Sequence, residues 1–544
     1  MSPMQTPDRP ATDQRVLWAI AITLVAVYVV LTWLQRVPAV TTQNDDAVYI
    51  LLSREVANLS YAQSWLFGAP IHSLYPPGYP TWLALMRLTA GEHLGVFVAG
   101  NILLVSAGLL LVFDVLRRHW PPAVGVLFLA VTVVSPQLHD AGALILSEGL
   151  YFFVTATVLW LAVVKPTGTP WVGMAIVTAI TASMTRSIGL TMILALGVCW
   201  LLEGHPRRTL VLAAAAVVFV GSWLTWIVLA PDKFIGSNYV AEVLVESTAR
   251  VPTIWHRMVL QAMAYWTEIV PFSLPLVTIS GTRLDNLVWL LLMTALAILG
   301  FLRLWRIWRA AAAYLAAYAG VLLIWPWQHA RFLIPVTPFL VVLLLAPLGS
   351  PWIRGRWRHA LHAATALLLL GIAGGLMQRS VFRFEARIGC DRSLALTAPG
   401  CFNDDQRSLF AGARWVNENL PVDEIIVSAK EATFAYYSER QVLHVKLIPH
   451  ADGAALLRGM SAANVRYLFL DRIHPMNRNR IGPFLLPVCD QLRVVAAFPP
   501  RTYLLAVASP ADGQEPGPVP ESACAALESF TENSEPDPIT PGWW

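Results

Sequence analysis

The chain has 544 residues, of which 56% are hydrophobic and only 13% charged, with 22 tryptophans and a mean hydropathy of +0.57. Soluble domains carry about 25% charged residues, so an ordinary water-soluble protein is excluded. The formal net charge of +4 does not point to nucleic acid as a partner, because the arginines sit beside apolar runs, where membrane orientation already explains them.

Residues 1–15 form a polar tail with Arg9 and Arg15. The apolar run at about 16–35 is longer than a signal-peptide core, lacks a small-residue cleavage site and reads as an uncleaved anchor. Further runs fall at about 94–116, 121–136, 143–164, 171–185, 188–203, 209–230, 285–302, 310–325, 332–348 and 360–377, with a short apolar helix near 79–90. Their length suits α-helical spans and excludes a β-barrel, whose strands alternate and are shorter. The expected fold class is a polytopic α-helical membrane protein of about 11 spans.

Arg117-Arg118, Lys165, Arg207-Arg208, Arg303/Arg306/Arg309 and Arg354/Arg356/Arg358 fall in every second connector. By the positive-inside rule these connectors and the N-terminus are cytoplasmic, and an odd number of spans places the C-terminal part outside a cytoplasmic (inner) membrane. The other face then carries Asp45 and Asp46, the turn from His139-Asp140 to Ser147-Glu148, Arg186, a loop at 231–284 and the turn Trp325–Arg331. Within that loop Trp255, His256, Arg257, Tyr265, Trp266 and Glu268 suit an interfacial helix. Several spans are near 15 residues, too short to cross about 30 Å of hydrocarbon at about 1.5 Å per residue. Their outer ends are expected to line a cavity holding Asp140, Glu148, Arg186 and Arg331. A charge at mid-span costs roughly 2.5–3.5 kcal/mol, so such groups have either a role or a partner, and mutual pairing is the plainer alternative.

Beyond Gln378 the composition changes. A helix at about 405–420 precedes strands at Ile425–Val427, Val442–Val445, Tyr467–Leu470, Leu492–Ala497 and Tyr503–Val507, with helical stretches at 431–438 and 452–461. Such alternation predicts a C-terminal extracytoplasmic α/β domain over about 381–510, after a membrane part at 1–380 with an outer loop at about 37–80. No glycine-rich phosphate loop or metal-spaced His/Cys cluster occurs in it. Residues 511–544, rich in Pro, Glu, Ser and Gly, are expected to be a disordered tail. Cys390, Cys401, Cys489 and Cys524 all follow the last span and allow three pairings, or reduced buried thiols, while Cys199 lies in a span.

The stretch richest in chemistry is Asp45-Asp46-x-x-Tyr49-x-x-x-Ser53-Arg54, closing at Tyr75-Pro76-Pro77-Gly78-Tyr79-Pro80. Thr42 or Asn44 can cap a helix starting near Asp45, which by itself accounts for acids in the first turn. Tyr49 lies one turn from Asp45 on the same face, and Asp46 points about 100° away.

This stretch resembles the first outer loop of the GT-C membrane glycosyltransferases of the protein mannosyltransferase and aminoarabinose transferase type. Leu146-Ser147-Glu148-Gly149, Thr185-Arg186-Ser187-Ile188-Gly189 and Arg331-Phe332-Leu333-Ile334-Pro335 resemble further signatures of that group, in order along residues 15–380. The return turn departs from the aminoarabinose branch, which carries Glu-Lys where this chain has Tyr75-Pro76-Pro77. The resemblance implies sugar transfer from a polyprenyl-phosphate donor to an envelope acceptor (glycolipid, glycan or protein) outside the cytoplasm. It implies Asp45 as the base for an incoming hydroxyl, Asp46 as loop holder or cation ligand, and Glu148 as acceptor-orienting group. Arg186 and Arg331, with His329 as a third candidate, are expected to meet the leaving phosphate. Tyr49, Tyr75, Tyr79 and Asp140 complete the expected substrate contacts. Mg²⁺ or Mn²⁺ on Asp45, Asp46 and Glu148 is a candidate cofactor, with the two arginines as its alternative. The competing class is a lipid or solute transporter with an outer accessory domain. It would favour polar groups at mid-membrane and an inverted repeat, whereas these acids gather at one face.

Overall fold

The computed structural model describes residues 11–37, 39–164, 169–229, 254–274, 283–325, 327–349, 356–388, 402–448, 451–508 and 522–532. Each expected apolar run carries a helix. Among the described residues, five helices contain stretches long and apolar enough to cross a membrane: Asp13–Leu34, Leu94–His119, Pro206–Leu229, Trp289–Ile307 and His362–Glu385. Pro122–Val133 and Pro136–Ala143 qualify only as a pair, bent by 67°. The break has a local cause, since Pro136 has no N–H to donate and disfavours helical geometry at Ser135, which is extended. Glu148–Val164, Pro170–Thr185, Ser187–Leu202, Arg309–Ile324 and Thr337–Leu348 are shorter apolar helices. Among the described residues, length and composition thus give five spans, or six with the bent pair, where counting every apolar run gave about 11. The protein is a multi-pass helical membrane protein.

Its interior is filled by Tyr28, Phe97, Phe113, Phe128, Tyr151, Phe152, Trp308, Tyr314 and Phe339, all fully buried. Val217, Val218, Phe219 and Leu229 of the Pro206–Leu229 helix face outward, as suits a surface against lipid tails. The last long helix, Arg356–Ile388, runs well past the expected end at 377. Arg379, Arg383 and Arg387 recur at four-residue spacing and so share one face. There Arg379 donates to the Phe272 carbonyl (2.6 Å), and Arg383 and Arg387 both bind Asp140.

The C-terminal domain is a five-stranded sheet in the order β2-β1-β3-β5-β4. Its strands are β1 (Ile426–Ser428), β2 (Val442–His444), β3 (Tyr467–Leu470), β4 (Leu492–Phe498) and β5 (Thr502–Val507). β1 runs parallel to β2 and β3, and β5 is antiparallel to β3 and β4. The helix Asp404–Asn419 opens with a reciprocal cap between Asn403 and Gln406. The tail expected to be disordered contains a helix, Ala523–Thr531, whose Ala526, Leu527 and Phe530 are buried. Composition hid this helix because three apolar contacts and a Cys489–Cys524 disulfide anchor it within a polar stretch. Cys390 and Cys401 lie outside the described residues, and Cys199 is buried and not in a disulfide.

The outer loop and this domain are packed as one unit. Val442 N donates to Trp65 O (2.8 Å) and Phe67 N to Val442 O (2.9 Å), so the loop covers the edge of β2. Asn44, held at φ 77, directs its side chain away from its own helix. Its Oδ1 accepts from Ala432 N (3.1 Å) and Thr433 N (3.2 Å), capping the helix Glu431–Ser438 across the interface. Tyr437 donates to Val40 O (2.8 Å) and Gln406 to Thr42 (2.9 Å).

Candidate active site

Asp45 opens the loop helix Asp45–Ala57. Its Oδ1 accepts from the Tyr75 hydroxyl at 2.7 Å and its Oδ2 from Arg331 Nη1 at 2.5 Å. Arg331 Nε also donates to Glu148 Oε1 (2.5 Å), and Arg186 Nη1 reaches the same oxygen (2.7 Å). Arg186 donates further to Ser147 Oγ (2.9 Å), which lies 3.1 Å from the Tyr49 hydroxyl. Two carboxylates and two guanidinium groups therefore form one continuous network with no net charge.

Every member comes from an element end. Glu148 begins the helix Glu148–Val164, Arg186 follows Thr169–Thr185, and Arg331 sits in the 3-10 turn Ala330–Leu333. A carboxylate at a helix N-terminus is favoured by the helix dipole. The return turn lies tight on the Arg186-bearing helix because residue 78 is glycine: a Cβ there would stand 2.6 Å from Met184 O. Side-chain exposure grades the network, from 0% for Glu148 through 15% for Arg186 to 20% for Arg331 and 23% for Asp45. Glu148 is the buried anchor, and Asp45 with Arg331 is the more exposed end.

Tyr75 is clamped from two sides. His72 Nε2 accepts its backbone N–H (3.0 Å), and the Tyr61 hydroxyl donates to its carbonyl (2.8 Å). Burial lowers the His72 imidazole to about 3, so it stays neutral and keeps the lone pair this bond needs. Tyr49 packs its ring 4.9 Å from both Tyr75 and Tyr79.

Of the ten residues expected at the site, Asp45, Tyr49, Tyr75, Glu148, Arg186 and Arg331 are brought together. Four are placed elsewhere. Asp46 turns into the loop, accepting from Thr41 N (2.6 Å) and Ala47 N (2.9 Å), and its burial raises its pKa to about 6. Tyr79 is fully buried, with its hydroxyl accepting from Asn101 (2.9 Å), and supports Tyr49 from behind. Asp140 is neutralised by Arg383 and Arg387. His329 is exposed and packs against Phe332 at 5.8 Å. The oxygen set suggested for Mg²⁺ or Mn²⁺ is not assembled: Asp46 faces backbone amides, and Arg331 stands between Asp45 and Glu148. Among the described residues no three His, Cys, Asp or Glu side chains group as metal ligands.

Sequence reasoning missed Ser147, Tyr61, His72 and the interface role of Asn44. Ser147 was signalled by standing next to Glu148. The others carry no local pattern, because their partners are distant or are backbone groups.

No protein-family model matches the sequence, and no curated protein matches it. Solved structures do match. ArnT from Cupriavidus metallidurans bound to undecaprenyl phosphate superposes with a TM-score of 0.56 at 14% identity, over 93% of this chain and 100% of that one. An Archaeoglobus fulgidus oligosaccharyltransferase in complex with Zn and sulfate gives 0.53 at 12% identity, over 83% of this chain and 67% of that one. The oligosaccharyltransferase AglB from Archaeoglobus fulgidus, in complex with an inhibitory peptide and a dolichol phosphate, gives 0.50 at 10% identity, over 85% and 70%. The chain has the fold of the GT-C membrane glycosyltransferases.

Proposed function

We propose that the protein transfers a sugar from a polyprenyl-phosphate donor to an envelope acceptor at the extracytoplasmic face of the inner membrane, with its N-terminus inside. The observation that carries this reading is the Asp45–Arg331–Glu148–Arg186 network, in which Asp45 of the loop helix meets three helix or turn ends. The lipid phosphates bound by ArnT and AglB, proteins of the same fold, support a donor of that class.

In this reading the donor's phosphate enters beside Arg331 and Arg186 and competes with Asp45 for the Arg331 guanidinium. Release of Arg331 leaves the Asp45 carboxylate free to accept the proton of the acceptor hydroxyl. That oxygen forms its bond to the anomeric carbon as the bond from carbon to phosphate oxygen breaks, with inversion. The electron pair leaves on the lipid phosphate, whose charge the two guanidinium groups receive. General-base assistance of this kind contributes roughly 10²–10⁴-fold. Glu148 keeps both arginines in place, Tyr75 orients Asp45, and Tyr49 with Ser147 fixes Arg186. Residues 1–380 carry this chemistry, the helical extension to Ile388 leads outward, and the domain at 381–510 borders the acceptor side.

The test is twofold. Deleting the protein should cause one polyprenyl-linked sugar to accumulate, and the purified protein should then move that sugar to an envelope fraction. Absence of any accumulating lipid-linked sugar, together with absence of transfer, would overturn the reading.

A further inference from the structure

A cavity of about 390 Å³ opens where the outer loop meets the C-terminal domain. The loop helix Asp45–Ala57 gives it Arg54. The helix Asp404–Asn419 gives Arg414, Asn417 and Glu418. The end of the helix Glu431–Ser438 gives Tyr436 and Tyr437, with Glu439 just after it. The size is that of a small-ligand pocket, yet the described lining is polar or aromatic throughout, where such pockets are mainly apolar. Arg54 stands nine residues beyond Asp45, about 14 Å along the helix and on its opposite face. The cavity is therefore separate from the candidate active site.

Its side chains offer donors and acceptors side by side. Arg440, itself buried, donates to Asn417 Oδ1 (3.2 Å), which leaves the Asn417 amide as a donor. Arg54 binds Glu92 through Nε (2.9 Å) and Nη2 (2.5 Å), which leaves its Nη1. The Arg54 guanidinium lies 5.2 Å from the Tyr436 ring centroid, and the Tyr436 and Tyr437 rings meet edge to face at 5.1 Å. Tyr437 is pinned by its bond to Val40 O (2.8 Å). Among the described residues the Arg414, Glu418 and Glu439 side chains and the Tyr436 hydroxyl form no hydrogen bond or ion pair. Glu439 has φ 53, a left-handed position just past a helix where glycine is the ordinary residue. The chain thus accepts backbone strain to set a carboxylate at this cavity.

We propose that this cavity binds a neutral saccharide, a distal unit of the acceptor glycan, and tethers it to the helix that carries Asp45. A sugar hydroxyl both donates and accepts, and a lining that mixes guanidinium and amide donors with carboxylate acceptors answers both needs. The charges decide against an anion. Two guanidinium groups face two carboxylates, and Arg54 is already offset by Glu92. A lipid tail or an apolar peptide would leave these polar groups desolvated and unpaired. Tyr436 adds a rigid ring against which the apolar face of a sugar can pack. Holding a distal unit here raises the effective concentration of the reacting end at Asp45. The acceptor role rests on the transferase reading; the saccharide site stands without it.

The experiment uses the full-length protein in nanodiscs of zwitterionic lipid, passed over immobilised gluco-, galacto- and manno-oligosaccharides and over uronate-bearing and phosphorylated counterparts. Neutral chains should be retained beyond empty nanodiscs. Glu439→Gly should lower that retention at least about tenfold while raising the unfolding midpoint, since it removes an acceptor and relieves the left-handed backbone. A merely structural role would move both in the same direction. Arg414→Ala/Glu418→Ala, at exposed positions of its helix, should lower retention likewise with the midpoint close to wild type. Asp45→Asn should retain glycan as wild type does. No neutral chain retained, or retention undiminished in the first two variants, would overturn the site. Preference for uronate-bearing or phosphorylated chains would overturn its neutral ligand, and loss of retention in Asp45→Asn would assign the binding to the candidate active site instead. Because the readout needs no turnover, failure here leaves the transfer chemistry standing, and absence of transfer leaves the retention result interpretable.

Discussion

Arg331 and Asp45 are 286 residues apart in sequence and meet at 2.5 Å, with the same guanidinium also gripping Glu148. One side chain thus ties the outer loop to the helix that carries the buried acid. Arg331→Met should leave Glu148 with Arg186 as its one remaining arginine and cost about 3–5 kcal/mol, the usual penalty for breaking a buried pair. Arg331→Lys restores charge without the forked geometry and should fall between the two in thermal stability and transfer rate. Equal stability of wild type and Arg331→Met would show that the network is not structural.

Two buried groups of the outer loop give opposite pH signatures. Asp46 has a folded pKa of about 6, above its ordinary value of 3.8, so the folded state binds more protons between those limits. Its contribution to stability is therefore lost as pH rises through that window. His72 is lowered from 6.5 to about 3, so the unfolded state binds more protons and stability rises with pH between those values. The two slopes oppose each other from about pH 4 to 6 in the wild type. Asp46→Asn should leave the rising slope of His72, and His72→Gln the falling slope of Asp46, in unfolding midpoints measured across pH 4–7. Asp46→Asn should also retain transfer, because Asp46 faces Thr41 and Ala47 and not Asp45's partners.

Asn44 caps a helix of the C-terminal domain in place of its own. Asn44→Ala should cost about 0.5–2 kcal/mol, as loss of a cap does. It should also loosen the loop against that domain, read as faster amide exchange at Ala432 and Thr433. Exchange unchanged at those two amides would show that the cap does not hold the interface.

Much of the architecture was legible because it follows from periodicity. Each apolar run became a helix, and the strands fell within a residue or two of the stretches rich in Ile, Val, Leu and Tyr. The span count was not legible, since a run such as Glu148–Val164 is apolar on all sides whether it crosses the bilayer or packs inside the protein. At the site, Tyr49 was readable beside Asp45 from helical spacing, while Asp45, Glu148, Arg186 and Arg331 were singled out by the resemblance of their motifs. Asp46 takes the loop-holding place that was one of its two expected roles, whereas Tyr79 was misplaced because helical phase gives direction but not depth. Asp46's oxygens are filled by amides, and Tyr79 lies beneath Tyr49. Asp140 and His329 were misplaced for another reason. The arginines that claim Asp140 sit in a helical extension beyond the last apolar run, and nothing local reveals that His329 turns toward Phe332. His72 carries no signal at all, because its partner is the backbone of Tyr75.

The most direct measurement is the transfer rate of Asp45→Asn with the lipid-phosphate-linked sugar that accumulates when the protein is absent. The expected result is a fall of about 10²–10⁴-fold in turnover, with the unfolding midpoint and donor binding close to wild type. Turnover within about threefold of wild type, far below the contribution of a general base, would contradict Asp45 as the group that activates the acceptor hydroxyl.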